Sequence, residues 1–151
     1  MVDRPRGKNR MVNNATIRAS SWTLLHDFIE TYVTVNAGPI RGSFNPQNAT
    51  TFPIYVIPSM NDSSSIAALN ATRRDHEISY DIGIFVNDNT KVDSASDELY
   101  NALVTYSNTY FEPQGLFLSD ITDNSSDALV INGRPYYTKI ISVTFKYSEV
   151  R

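Results

Sequence analysis

From His76 to Asn87 the chain alternates, with Ile78, Tyr80, Ile82, Ile84 and Val86 on one side of an extended backbone and Glu77, Ser79, Asp81 and Asn87 mostly on the other. That is a half-buried strand. A helix-like stretch, two short apolar runs and a closing strand that ends almost at the C-terminus follow it. This order of elements describes an α+β domain, and no catalytic motif accompanies it.

The length of 151 residues and the 41% apolar content correspond to about one ordinary domain with a substantial core. Cysteine is absent, which excludes disulfides, thiolate metal sites and cysteine nucleophiles and fits a protein that matures in a reducing compartment. The basic N-terminal stretch has no apolar segment behind it, and no run approaches the roughly 18 apolar residues of a membrane span, so neither export nor insertion is expected.

The net charge of −3 conceals an asymmetry. Residues 1–18 hold Arg4, Arg6, Lys8, Arg10 and Arg18 against Asp3, a local charge of +4, while the other residues sum to −7. The sequence therefore divides into a flexible basic arm, residues 1–14, and a single acidic domain, residues 15–151. Such an arm suits docking against nucleic acid, another protein or a second copy of the body, and equally fits a plain disordered tail. No aromatic-rich recognition strand or zinc finger supports specific nucleic-acid binding.

Trp22, Leu25, Phe28, Ile29 and Tyr32 recur at helical spacing, which predicts a helix from Thr16 or Ser20 to Val33, with Ser20 or Ser21 as its cap. Residues 36–53 then read as a long loop, and the run from Pro53 to Pro58 as a short strand suited to a sheet edge. Residues 60–75 are small and polar and read as a second long loop. Loops of this length in a compact domain are commonly functional. Arg41, Phe44, Phe52, Arg73 and Arg74 within them are residue types that anchor protein interfaces, and together with Arg4, Arg6, Lys8 and Arg10 they form the candidate interface set. The alternative is that both phenylalanines tuck under their own loops.

A second helix is predicted from Asp93 to about Tyr110. Asp93 or Ser94 is placed to cap it, and Ala95, Leu99, Ala102, Leu103, Tyr106 and Tyr110 form its apolar stripe. Pro113 and Gly115 end it. Leu116 to Thr122 and Ala128 to Ile131 read as strands, and Asn132-Gly133 is a strong hairpin signal leading into the last strand, Tyr136 to Tyr147. There Tyr137, Ile141, Val143, Phe145 and Tyr147 share a face.

Chemistry is sparse. His26 and His76 have no serine, cysteine or paired carboxylate at triad or metal spacing and read as surface or boundary residues. The carboxylates between Asp88 and Glu98 lack the glycine and register of a calcium loop and read as loop and cap residues. The six glycines are too scattered for a phosphate loop. No catalytic residue, metal or cofactor is expected, and the chain does not read as an enzyme.

The Pro-flanked strand, the strand HEISYDIGIFVND, the helix DSASDELYNALVTY and the closing unit LFLSDIT…DALVINGRPYYTKIISVTFKY, preceded by a helix, resemble the tail terminator proteins of long-tailed bacteriophages. The resemblance covers roughly residues 15 to 148. It implies a mostly antiparallel sheet of about four to five strands packed on two main helices. It further implies a ring of about six copies that caps the tail tube, ends tube polymerisation and offers a docking surface to the head connector; the alternatives are another phage neck, head-completion or tail tube protein, or a small cytoplasmic binding module. The implied partners are further copies of the chain, the tail tube protein and the connector, with DNA only passing through the lumen and no membrane contact. The implied location is the tail-to-head junction of the virion, after assembly in the host cytoplasm.

Overall fold

The computed structural model describes residues 14–59, 61–66, 73–124 and 127–150. Helix α1 (Asn14–Tyr32) leads into β1 (Ile40–Arg41), a 3-10 turn (Pro46–Asn48), β2 (Ile54–Val56), β3 (Asn61–Ile66) and β4 (Arg73–Val86). Helix α2 (Asn89–Phe111) and a second 3-10 turn (Glu112–Gln114) precede β5 (Phe117–Asp123), β6 (Asp127–Ile131) and β7 (Arg134–Val150). The protein is an α+β domain, and the seven strands of the described residues belong to one sheet. Two of them, β1 and β3, exceed the predicted four to five.

The sheet is built around β4 and β7, which pair antiparallel from Arg73↔Val150 to Val86↔Tyr137. At about 3.4 Å per residue this ribbon is roughly 45 Å long. Each flank is shared by two shorter strands: β2 and β3 border β4, and β5 and β6 border β7. The pairings are antiparallel except β1 with β2.

The alternation read in the sequence decides which face is dry. Ile78, Tyr80, Ile82, Ile84 and Val86 of β4 are buried, and β7 sets Ile141, Val143, Phe145 and Tyr147 in the same layer. Both helices lie on this inner face. Leu25, Phe28 and Ile29 of α1 and Ala95, Leu99, Ala102 and Leu103 of α2 complete one continuous core. Each fully buried aliphatic side chain contributes about 1.5–3 kcal/mol relative to exposure. An aromatic cluster welds the helices together: Phe28 stacks on Phe111 at 5.0 Å, and Tyr32 on Tyr106 at 4.5 Å.

Several expectations are corrected. The stretch between Asn61 and Val86 is strand rather than loop wherever it is described, because Asn61–Ile66 pairs with Arg74–Ser79. Backbone pairing there overrides a side-chain pattern of low strand propensity. The α1 start lies at Asn14, so Ser20 and Ser21 are helix interior and not caps. The Ser21 hydroxyl instead meets the Tyr80 hydroxyl at 2.7 Å in the core. Helix α2 begins a turn earlier than predicted. Its cap is Asp88, whose carboxylate accepts from Thr90 N–H at 3.0 Å, while Asp93 faces Lys139 at 3.5 Å. Tyr106, expected in the buried stripe, is 44% exposed. The Ile54–Val56 strand is not a free edge, since β1 covers it.

Candidate interaction surfaces

The face of the sheet opposite the helices divides into two zones. Toward the C-terminal end of β4 it is aromatic. The 42–53 loop folds back over it, pinned by Phe44, which stacks on Phe85 at 4.3 Å and meets Tyr136 edge-on at 5.2 Å. Phe52 reaches the same Tyr136 at 6.1 Å. Asn45 starts the 3-10 turn by accepting from Gln47 N–H at 3.0 Å, which lets the chain reverse within the loop. This cover explains why Tyr136 and Thr138 are buried although they project away from the main core.

Farther along the ribbon the same face is hydroxyl and carboxylate. Across the β4–β7 ladder the Ser148 hydroxyl donates to Asp75 at 2.8 Å and the Ser142 hydroxyl to Asp81 at 2.7 Å. Ser79 and Thr144 meet at 3.2 Å, and Glu77 pairs with Lys146 at 3.6 Å. These are cross-strand pairs of a solvated sheet surface, each of modest stabilising effect.

The candidate interface residues fall in different places. Phe44 and Phe52 are half-buried by their own sheet. Arg41 is exposed on β1, beside an open depression bordered by Gly42, Ser43, Phe44, Asn45 and Ile54. Arg73 and Arg74 open β4, with their backbones in register with Val150 and Glu149. Arg4, Arg6, Lys8 and Arg10 lie outside the described residues. Arg41 and Phe44 thus share one depression, and the described backbone of Arg73 and Arg74 belongs to the opposite end of the ribbon.

His26 is the boundary residue expected, and His76 is not. His76 is 2% exposed and stacks on Tyr147 at 4.7 Å, because it continues the inward-facing series of β4. His26 does have carboxylate neighbours, since one helical turn brings Asp27 and Glu30 to it, with ligand atoms within 4.8 Å of one another. Its Nδ1 lies 3.0 Å from Asp27 Oδ1, and Trp22 stacks on its ring. The group is part-exposed on one helix, and His26 and Glu30 border a small depression of ≈ 150 Å³ that Ile29, Val33, Ala37 and Tyr55 also line. That space is below the roughly 300 Å³ at which small-molecule sites begin.

Glu98, read from sequence only as a loop or cap carboxylate, is densely bonded. Glu98 on α2 accepts from the N–H groups of Thr34 and Val35, both at 3.0 Å, and of Asn36 at 2.7 Å. Asn36 passes the connection on, its carbonyl accepting from the buried Tyr55 hydroxyl at 2.7 Å. Burial and the nearby Glu98 charge push the Tyr55 phenol far above its ordinary pKa, so it stays a donor. Sequence offered no signal for it, because the partners are backbone amides more than sixty residues away.

Lys139 supplies a second helix-to-sheet tie, reaching Asp93 at 3.5 Å and Asp123 at 3.4 Å. Among the described residues no helix is long and apolar enough to cross a membrane. No protein-family model and no curated protein matches the chain.

Proposed function

We propose that this chain is a virion structural protein that caps a phage tail tube as a ring of about six copies, ends tube polymerisation and gives the head connector its docking surface. The observation that carries this reading is the slab form of the domain. Helices cover one face of the sheet, and the other is bare hydroxyl and carboxylate over much of its length. A closed ring of identical copies needs two different patches on each copy, and a slab with unlike faces and unlike edges offers them. The α+β order of elements agrees with the same reading. Arg41 beside Phe44, and the basic arm, are the proposed contacts to neighbouring copies or to the tube.

The test is electron microscopy of lysates from a phage that carries this reading frame, interrupted and then restored in trans. Overlong or ragged tails separated from filled heads support the terminator role. Tails of normal length that fail to join heads move the assignment to a connector or head-completion protein, and infectious particles of ordinary form remove it from tail assembly.

A further inference from the structure

Asn132 and Gly133 both hold positive φ, 53° and 77°, so a two-residue turn of the mirror-image type joins β6 to β7. In such a hairpin the flanking pair, Ile131 with Arg134, exchanges hydrogen bonds, and every second pair along the ladder does the same. The register Ile131↔Arg134, Val130↔Pro135, Leu129↔Tyr136 therefore turns the N–H and C=O of Ala128 and Val130 away from β7. Two details agree with this. Pro135, which has no N–H to offer, stands opposite Val130, and the Ala128 N–H goes to the Asp127 carboxylate at 2.8 Å.

No strand among the described residues pairs with the outward side of β6. Other margins of the sheet carry protection of the usual kinds. Strand β1 covers β2, β5 has a register shift between Leu118 and Asp120 and carries Asp120 and Asp123, and β3 is Asn, Asp and Ser up to its last residue, Ile66. Strand β6 reads Asp-Ala-Leu-Val-Ile: Asp127 at its first position is its one charge, it has no lysine, proline or bulge, and Val130 is 71% exposed.

We propose that β6 pairs antiparallel with β6 of a second copy of this chain, about a twofold axis at Leu129. The outward-facing residues of β6 fix that centre, since Ala128 of each copy then lies opposite Val130 of the other, and both exchange backbone hydrogen bonds as the Asp127 carboxylate leaves the Ala128 N–H for Arg134 of the second copy. Charge selects the direction. In the antiparallel pair Asp127 stands beside Ile131 of the second copy, and Arg134 of that copy stands on the far side of the same isoleucine, on the same face of the sheet. Asp127 and Arg134 are both exposed, and an arginine side chain spans that interval. Parallel pairing in register would instead set Asp127 beside Asp127. The pairing does not rest on the ring reading, because a twofold pair of free chains and a ring on a tube are different assemblies.

Sedimentation velocity of the full chain over a wide concentration range tests it. The wild-type mass is expected to rise from one chain toward two in the high micromolar range, as a small contact requires. Val130→Lys, at an exposed position, is expected to weaken association by about tenfold with the circular dichroism spectrum unchanged. Val130→Pro removes only an outward N–H and is expected to do the same. Asp127→Arg and Arg134→Asp each weaken the pair, and the double exchange restores it. A wild-type chain that stays single at every concentration overturns the proposal. Association that survives both Val130 variants, or a double exchange no better than the singles, also overturns it.

Discussion

The backbone N–H of Asn36 and its side-chain Nδ2 both donate to the same carboxylate oxygen of Glu98, at 2.7 and 3.0 Å. With the amides of Thr34 and Val35 on the other oxygen, the exit of α1 forms a small anion-binding concavity filled by a side chain of α2. The Asn36 carbonyl receives the Tyr55 hydroxyl, so three elements, α1, α2 and β2, are held at one point.

Replacing Glu98 by Ala is expected to lower unfolding free energy by about 1–3 kcal/mol, because the amides of residues 34–36 lose a charged acceptor. Glu98→Gln should cost less, since one neutral oxygen still accepts. Urea titration of both variants measures the difference, and an unchanged midpoint for Glu98→Ala would show that water replaces the carboxylate at no cost.

Acid should act through the same group. Burial raises the Glu98 pKa, but the bonds from Val35, Asn36 and Thr34 outweigh it and hold the carboxyl below the usual glutamate value. A folded-state pKa below the unfolded one contributes stability that is present above the unfolded value and is lost as pH falls through the folded one. Glu98→Gln is therefore expected to flatten the acid limb of a stability-versus-pH curve below the ordinary glutamate range. Parallel curves for variant and wild type would contradict this.

Tyr80→Phe removes one partner of the buried Ser21–Tyr80 hydrogen bond and should cost about 0.5–1.5 kcal/mol. A double-mutant cycle with Ser21→Ala separates the bond from the packing of the ring. A coupling energy near zero would mean that α1 is seated on the sheet by apolar contact alone.

Phe44→Ala should release the 42–53 loop without unfolding the core, because its ring packs on Phe85 and Tyr136 on the face away from the helices. The expected readout is faster proteolytic cleavage and amide exchange confined to that loop, with a modest fall in melting temperature. Exchange that rises throughout the β4–β7 ladder would instead make the loop part of the cooperative unit.

Gly38 lies against the carbonyl of Pro53, and a methyl group there would collide with backbone that cannot step aside. Gly38→Ala is expected to destabilise the protein by several times the about 1 kcal/mol of an ordinary helix-surface glycine change. Thermal unfolding of Gly38→Ala beside Gly42→Ala, where nothing lies near the added carbon, provides the comparison.

Local pattern was sufficient for most of what repeats along the chain, though not for Tyr106, which α2 leaves 44% exposed. The dry face of β4, the apolar positions Ala95, Leu99, Ala102 and Leu103 of α2 and the Asn132-Gly133 turn were all legible, because period-two and period-3.6 burial and positive φ leave marks on neighbouring residues. The Asn61–Ile66 strand was not legible, because its composition favours turns and only pairing with β4 extends it. The depth of His76, the folding of Phe44 onto Phe85, the tethering of Glu98 by residues 34–36 and the edge of β6, which no described strand covers, were likewise decided by the tertiary structure. Each depends on which distant segment comes to lie alongside, and a residue's own neighbours in sequence carry no record of that.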